Sequence, residues 1–391
     1  MSTAPRLSSA DLAAAARRLG ASLADRSAAI ESNRTLPPDV VDDLRDAGLF
    51  RLFVPGELGG PELGVQEAMD VIEEIAVHDG AAAWCVMIAA TTGLLAAYLP
   101  EPHAEAVYGD PGAITGGFAA PLGRARATDG GLLVSGRWQW GSGTRHCTSI
   151  GGGCLLVDAS GAPVRRDDGL VAPFVFFEPN DVELLDTWYV SGLRGTGSTD
   201  YQVEGAFVPE GRWVQIGLDR PRRGGPLYRF SFYGLLALGI TSVALGVARR
   251  AIEELLALAG HKRPQGSSRP LAERAPVQAD VAAAEAIVRS SAAYVADSIG
   301  VAWNVVLAGN ELTDGHRRSL RLAATHGTQE AARAVDLMYA AAGGAAVYDN
   351  SPIQRVFRDV HVATQHAMVA PRTFELTGRL LLGLDTDTRQ L

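Results

Sequence analysis

"GLRGTGSTDYQVEGAFVPEGR", Gly192 to Arg212, decides the class of fold to which this chain belongs. Its glycines are not spaced GxGxxG, and no strand–helix–strand pattern surrounds them. The string therefore reads as a turn between two strands and only weakly as a phosphate loop. "YQVEGAFVP" alternates apolar and polar residues, as a half-buried strand does. Working outward, "GLLVSGRWQW", "GGCLLVD", "APFVFFEP" and "VELLDTWYV" are further β-branched and aromatic runs, separated by Gly, Asp and Pro clusters. A β domain is expected from near Pro111 to about Val214.

Both flanks read as helix. "SADLAAAARRLGASLADRSAAIE" is Ala-rich with helical charge spacing, and "PDVVDDLRDAGLF" is a short amphipathic helix stopped at Gly48. After the Gly/Pro loop "FVPGELGGPELG", the stretch "VQEAMDVIEEIAVHDGAAAWCVMIAATTGLLAAYL" gives one amphipathic and one nearly all-apolar helix. Beyond Tyr228, helices are expected over 230–260, 275–310, 314–342, 352–370 and 372–383, an antiparallel bundle of four long helices with a short tail. The domains are thus 1–110 (helical), 111–220 (β) and 221–391 (helical bundle).

Composition narrows the function. With 47% hydrophobic and 20% charged residues in 391, a large core is available and disorder is excluded. A net charge of −9 and the lack of any long basic run argue against nucleic acid or an anionic membrane surface as partner. Cys85, Cys147 and Cys154 form no CxxC pair and read as free thiols in a reducing cytoplasm. The N-terminus lacks a signal-peptide pattern. Phe230 to Ala248 is uncharged, but Ser231, Tyr233, Gly239, Thr241, Ser242 and Gly246 interrupt it and "RRAIEELLALAG" continues it as an amphipathic helix. It reads as a buried helix and not as a membrane span.

Two stretches hold candidate chemistry. In "GRWQWGSGTRH", 136–146, a strand ends in Trp140, small residues allow close backbone approach, and Ser142 offers a hydroxyl. The residues fit a flat aromatic ligand lying on Trp140, and equally a buried strand tryptophan before a β-turn. In "SPIQRVFRDVHVATQHAMV", 351–369, Ser351 and Gln354 form a capping-box pattern with Pro352 at the first helical position. Ile353, Phe357, Val360 and Ala367 share a stripe, with Val356 and Met368 at its edges. His361 and His366 stand about 140° apart on a straight helix at roughly 100° per residue, so they are not a metal pair; no metal site is expected. Pro371 disfavours helix at Ala370, which places His366 near a helix break, where it can face a cleft. His361 reads as structural.

The strings "LFVPGELGG", "GLRGTGSTDYQVEGAFVPEGR", "LGVARRAIEEL", "AAGGAAVY" and "PIQRVFRD" together make the chain, from about Ser22 to Leu384, resemble an acyl-CoA dehydrogenase-fold flavoprotein. The resemblance implies an α+β fold: an N-terminal helical domain, a central β-barrel or sandwich, and a C-terminal four-helix bundle, with flavin between the last two and the bundle pairing subunits into a homotetramer. Trp140-Gly141-Ser142 takes the place of the family's Trp-Ile-Thr. By resemblance Trp140 flanks the isoalloxazine, Ser142 lies near its N5 with Gly143 beside it, and Gly343 and Gly344 match a backbone stretch at the adenosine end, often from a neighbouring subunit.

The departures are as informative. Counting from Arg358-Asp359, the place of the dehydrogenase's catalytic glutamate is Ala367, preceded by His366. The other known place, the first bundle helix "RFSFYGLLALGITSVALG", has no acid. "TGGFAAPLGRA" replaces a Thr-Glu-Pro string. These departures resemble the oxygenase components of two-component hydroxylases, which take reduced flavin (FMNH2 or FADH2) from a separate reductase and form a C4a-hydroperoxyflavin. The resemblance assigns Ser142 to the flavin N5 and His366 to the substrate hydroxyl, where a neutral imidazole can take a phenolic proton. Two features leave the ligands open. "GGFAAPLG" lacks an additional pocket histidine that some phenol hydroxylases carry. "KRPQG", Lys262 to Gly266, lacks the Phe of the FAD adenine string. The rival expectations are an acyl-CoA dehydrogenase or oxidase with a relocated base, and a non-catalytic flavin-binding relative.

Overall fold

The computed structural model describes residues 6–167 and 169–391. Five helices come first: α1 (Ser9–Asn33), α2 (Pro38–Asp46), α3 (Val65–His78), α4 (Gly80–Gly93) and α5 (Glu101–Tyr108). Nine strands follow: β1 (Thr115–Thr128), β2 (Gly131–Gly141), β3 (Ser149–Val157), β4 (Arg165–Arg166), β5 (Gly169–Leu170), β6 (Phe174–Phe177), β7 (Glu183–Leu185), β8 (Thr199–Pro209) and β9 (Trp213–Val214). The last part holds α6 (Phe232–Ala259), α7 (Ala275–Leu307), α8 (Asp314–Ala342), α9 (Pro352–Ala363) and α10 (Arg372–Leu381). This is the helical, β, helical order expected.

The β part is one mixed seven-stranded sheet in the order β7-β8-β2-β1-β3-β6-β9, with β1 parallel to β3 and the other pairs antiparallel, plus the small β4-β5 ribbon. Trp138 of β2 is fully buried in it, stacked on Tyr201 at 5.3 Å, and its indole N–H donates to the Gly153 carbonyl at 2.7 Å. β1 was not anticipated: its Gly- and Ala-rich start hides the alternation, and a register irregularity between Phe118 and Gly123 breaks it. "VELLDTWYV" is strand only over β7.

Two helical stretches are long and apolar enough to cross a membrane, Gly80–Ala97 and Phe232–Ala259, but 94% and 83% of their most apolar windows are buried inside the fold. The first part of α6, through Ala248, is apolar on all sides because the helix packs on α3, α4, α8 and α9. Gly246 is required there: a Cβ would stand 2.4 Å from the Glu73 carbonyl of α3.

The bundle differs from expectation at α9. It ends at Ala363 and not near 370, so three helices are long and two are short. Ser351 precedes α9 without making a side-chain cap bond, and Gln354 instead accepts from Arg358 Nε at 2.9 Å. Ala367 lies beyond the helix and is exposed, so the apolar stripe closes with Ala363.

α9 locks three parts of the chain together. Arg358 Nη1 lies 2.5 Å from Glu31 Oε1 of α1 and donates to the Ser191 carbonyl at 2.6 Å; Arg355 Nε lies 3.1 Å from Glu31 Oε2. Buried Asp359 accepts from the Leu193 N–H at 2.6 Å. Gly192 fits between them only because it lacks a Cβ, which would stand 2.3 Å from the Arg358 carbonyl. Burial alone would raise the Glu31 carboxyl, but Arg358 and then Arg355 overcome it and hold the group below its ordinary range. A depressed carboxylate contributes stability that is present above its unfolded value and is lost as pH falls through its folded value. Arg358→Ala is expected to cost about 2 kcal/mol, less than a fully buried pair because these side chains keep some water contact. Urea unfolding at pH 7 measures the loss, and the gap between variant and parent should narrow as Glu31 is titrated in acid.

Candidate active site

The turn after β2 carries the first half of the site. Trp140 has φ 59°, in the left-handed region that favours glycine, at a bulge between Trp138 and Gly141. Such strain costs about 1–3 kcal/mol and persists only where its surroundings enforce it. Here the Ser142 N–H closes back on the Trp140 carbonyl at 2.9 Å, and the Gly143 N–H donates to the Thr196 carbonyl at 2.9 Å. Regular alternation would turn Trp140 to the same face as buried Trp138. The bulge turns it out, 57% exposed, edge-on to Phe118 at 5.6 Å.

Ser142 is buried and belongs to a chain of hydroxyls with one possible polarity. Thr196 Oγ1 donates to the Leu193 carbonyl at 2.8 Å, and a carbonyl can only accept. Ser198 must then donate to Thr196 at 2.6 Å, and Ser142 to Ser198 at 2.6 Å. The Trp84 indole N–H donates to Ser142 at 3.0 Å. With its proton committed and one lone pair used, Ser142 Oγ has one acceptor position left and no donor.

Trp84 stands on α4, whose start is capped by Asp79, which accepts from the Ala82 N–H and from Ser27, both at 2.8 Å. Together these elements bound a cavity of about 470 Å³ between the sheet, α4, α6 and the segment after α9. Trp84, Phe118, Trp140, Phe174, Phe232 and Tyr233 form aromatic walls, and Ser142, Ser198, Gln365, His366 and Arg372 supply polar groups. No Asp or Glu lines it among the described residues, and Ala367 stands in its wall.

His366 reaches the cavity because α9 has ended and the chain runs in tight turns to Pro371. Its ring lies edge-on to Trp84 at 5.8 Å. Burial first, then Arg321 and Arg372, push its pKa down to about 4, so it is neutral at pH 7. Its Nδ1 accepts from the Met368 N–H at 3.2 Å, which assigns the ring proton to Nε2. With Nδ1 engaged by the Met368 N–H, the neutral ring carries its proton at Nε2, and burial first, then the adjacent positive charges, oppose gain of a second proton.

The other expected residues divide. Gly143 does not line the cavity; its N–H is occupied by Thr196, so it holds the turn. Gly343 and Gly344 lie exposed in the 3-10 stretch Gly343–Val347, outside the cavity wall. Lys262 Nζ binds the Ala342 carbonyl, so "KRPQG" and "GG", distant in sequence, meet on that surface. His361 pairs with Asp336 at 2.9 Å, edge-on to Phe357, and is structural. No cluster of three or more His, Cys, Asp and Glu is placed to hold a metal among the described residues. Trp84, Thr196, Ser198 and Arg372 were not singled out as site residues. Trp84 is one aromatic in an apolar helix, and Ser198 sits in a string that reads as a turn.

Residues 9–101 match the acyl-CoA dehydrogenase N-terminal domain and residues 238–371 its C-terminal domain. An indole-3-acetate monooxygenase of Pseudomonas putida is 32% identical over 354 residues, covering 90% of this chain and 89% of that protein. The chain belongs to the flavin-dependent monooxygenases of acyl-CoA dehydrogenase fold. A flavin-dependent monooxygenase oxygenase subunit, HsaA, of Mycobacterium tuberculosis is 29% identical over 383 residues, 92% of each chain. The solved structure of XiaF from Streptomyces sp. in complex with FADH2 and glycerol superposes with a TM-score of 0.90 at 26% identity, covering 96% of each chain. These monooxygenase relatives overturn the dehydrogenase alternative, and the cavity holds no carboxylate among the described residues to serve as its base.

The hydroxyl chain is testable by itself. Ser198→Ala removes the acceptor for Ser142 and the donor to Thr196 without changing shape much. It should destabilise the protein by about 1–2 kcal/mol in urea unfolding, because buried partners are left unsatisfied. Thr196→Val should cost a similar amount, and the double variant less than the sum.

Proposed function

We propose that this chain is the oxygenase component of a two-component hydroxylase, taking reduced flavin from a separate reductase and placing one oxygen atom of O2 on a small aromatic substrate. The observation that carries the reading is the aromatic-walled cavity that has no carboxylate among the described residues and presents Ser142 as an acceptor. A flavin carries a hydrogen on N5 only when reduced, so an acceptor-only Ser142 suits FMNH2 or FADH2 and leaves the bare N5 of oxidised flavin unmatched. Exposed Trp140 offers a flat face for the ring. Reduced flavin, when bound, supplies the two electrons that activate dioxygen, the second oxygen atom leaving as water.

The chain's own residues do the rest. Apolar walls exclude water. His366 holds its proton at Nε2, where it can donate to a substrate oxygen and stabilise negative charge there. Gly343 and Gly344 are proposed to meet the cofactor's outer end from a neighbouring subunit in a homotetramer. Exposed Val301, Leu307, Val347, Tyr348, Leu381 and Leu382 supply apolar surface for such packing. The division 1–110, 111–220 and 221–391 and a cytoplasmic location, suited to three buried free thiols, complete the reading.

Anaerobic titration should show reduced FMN or FAD binding about tenfold or more tighter than the oxidised form. Product should form only when reductase, O2 and an aromatic substrate are all supplied. A protein that holds oxidised flavin and is bleached by an acyl-CoA would overturn the proposal. His366→Ala should lower kcat about 10- to 100-fold, as loss of a hydrogen bond to a charged group does. Light scattering should give about four times the 41.1 kDa chain mass.

A further inference from the structure

Residues that line the cavity and are also exposed mark its mouth. They include Pro121, Trp140, Gln365, Ala367, Arg372 and Gln390. Gln390 belongs to the segment 384–391, which follows α10 outside any helix or strand. The segment is fastened at both ends. Where it leaves α10, the Leu384 N–H donates to the Arg379 carbonyl at 3.0 Å and Arg379 Nη2 to the Asp385 carbonyl at 2.7 Å. At the other end Leu391 is buried, its carbonyl oxygen accepts from Ser231 Oγ at 2.9 Å, and the Gln390 carbonyl accepts from Arg321 Nη1. Between these points 386–389 bonds only within the segment among the described residues, as in Thr386 Oγ1 to the Leu384 carbonyl at 2.8 Å and Arg389 Nη2 to Asp387 at 2.6 Å.

Each group that holds the far end has a second task at the site. Ser231 precedes α6, and its Oγ also accepts from the Gly234 N–H at 3.0 Å, which caps the helix whose Phe232 and Tyr233 stand in the cavity wall. Arg321 of α8 is 2% exposed, and its other terminal nitrogen, Nη2, donates to the Met368 carbonyl at 3.0 Å. The Met368 N–H in turn holds His366 Nδ1. One buried guanidinium thus joins the segment to the turn that carries His366. Burying such a group is costly. What it gains here is a bridge between two stretches of chain that share no other hydrogen bond among the described residues. A stretch held at its ends and exposed between them opens more readily than the packed helices around it.

We infer that 384–391 is a strap that seals the Gln390 side of the cavity mouth, and that Arg321 is a positioning residue that couples the seated strap to the His366 turn. With the strap seated, Arg321 holds both stretches; with it released, the Met368 turn loses half of its brace. Release opens a way for small molecules to pass, and closure keeps water from the reacting groups. The geometry rests on the hydrogen bonds above, and the consequence for chemistry rests on the hydroxylase reading. In a wet cavity, reduced flavin and O2 end as oxidised flavin and hydrogen peroxide. Both electrons and both hydrogens pass to O2, and no oxygen atom reaches a substrate.

Ser231 allows the latch to be broken without the helix cap. Ser231→Asp keeps an acceptor for the Gly234 N–H but has no proton for the Leu391 carbonyl, whereas Ser231→Thr keeps both. Hydrogen exchange read by mass spectrometry on the whole protein, without flavin, reports the strap directly. In Ser231→Asp, peptides covering 386–391 and 366–369 should both exchange about fivefold or more faster than in the parent, as loss of one hydrogen bond allows. Peptides of α6 should be unchanged, and Ser231→Thr should match the parent. Arg321→Gln should loosen the same two stretches. Exchange of 386–391 in the parent as fast as in a free peptide would refute the strap, and loosening of 386–391 alone in Ser231→Asp would refute the coupling. The seal is measured by mixing protein loaded with reduced FMN with O2, in the absence of substrate. Hydrogen peroxide should be released about fivefold or more faster from Ser231→Asp than from the parent, and an equal rate overturns the seal. If the parent does not bind reduced FMN, the hydroxylase reading fails, while hydrogen exchange still decides the strap and its coupling.

Discussion

Everything in the cavity depends on how Arg358 and Asp359 of α9 are held. One turn of helix reaches Glu31 in the N-terminal helical part through Arg358 and Arg355. It reaches the loop before β8 through the Ser191 carbonyl and the Leu193 N–H. These are charge-assisted bonds in a largely dry junction, where a misplaced partner leaves an unpaired charge and is heavily penalised. The junction therefore admits one relative placement of helix, loop and bundle. Leu193, in the left-handed region with φ 49°, is fixed by it, and its carbonyl is where the hydroxyl chain ends. The polarity of Ser142 is thus inherited from an ion pair in another part of the molecule.

That dependence links stability to chemistry. Thr196, Ser198, Ser142 and Trp84 come from three elements and form one line of hydrogen bonds with a single direction. A chain of this kind presents a lone pair without a proton, a simple device for preferring one hydrogenation state of a ring nitrogen over another. At His366 the logic is the reverse. His366 presents a proton, because Met368 occupies its other nitrogen, and burial first, then Arg321 and Arg372, make a second proton unfavourable. One group accepts and the other donates, and Trp84 lies against both. An acyl-CoA dehydrogenase site would instead need a carboxylate to remove a proton, and this cavity has none among the described residues.

Much of this was legible in the chain itself. The helical, β, helical order follows from local periodicity and turn chemistry, which need no long-range information. Pro371 marks a break at Ala370, but α9 ends earlier, at Ala363, and no local signal announced that. Ala367 in the place of a glutamate is a statement about composition, and it stands unchanged. The harder features failed for identifiable reasons. β1 begins in Gly and Ala, which carry no strand signal. Ser351 matches a capping pattern, but Gln354 is drawn away by Arg358, a tertiary competitor that a local pattern does not register.

The sequence by itself determined the fold class, the loss of the dehydrogenase base and the candidacy of Trp140, Ser142 and His366, because each depends on residue type at a local spacing. Only the tertiary structure decided which proton sits where. The direction of the Ser142 chain depends on Thr196 meeting a carbonyl, and the tautomer of His366 on a backbone N–H two residues away. Hydrogen-bond polarity and electrostatic balance are properties of groups brought together from distant parts of the chain, and no local pattern encodes them.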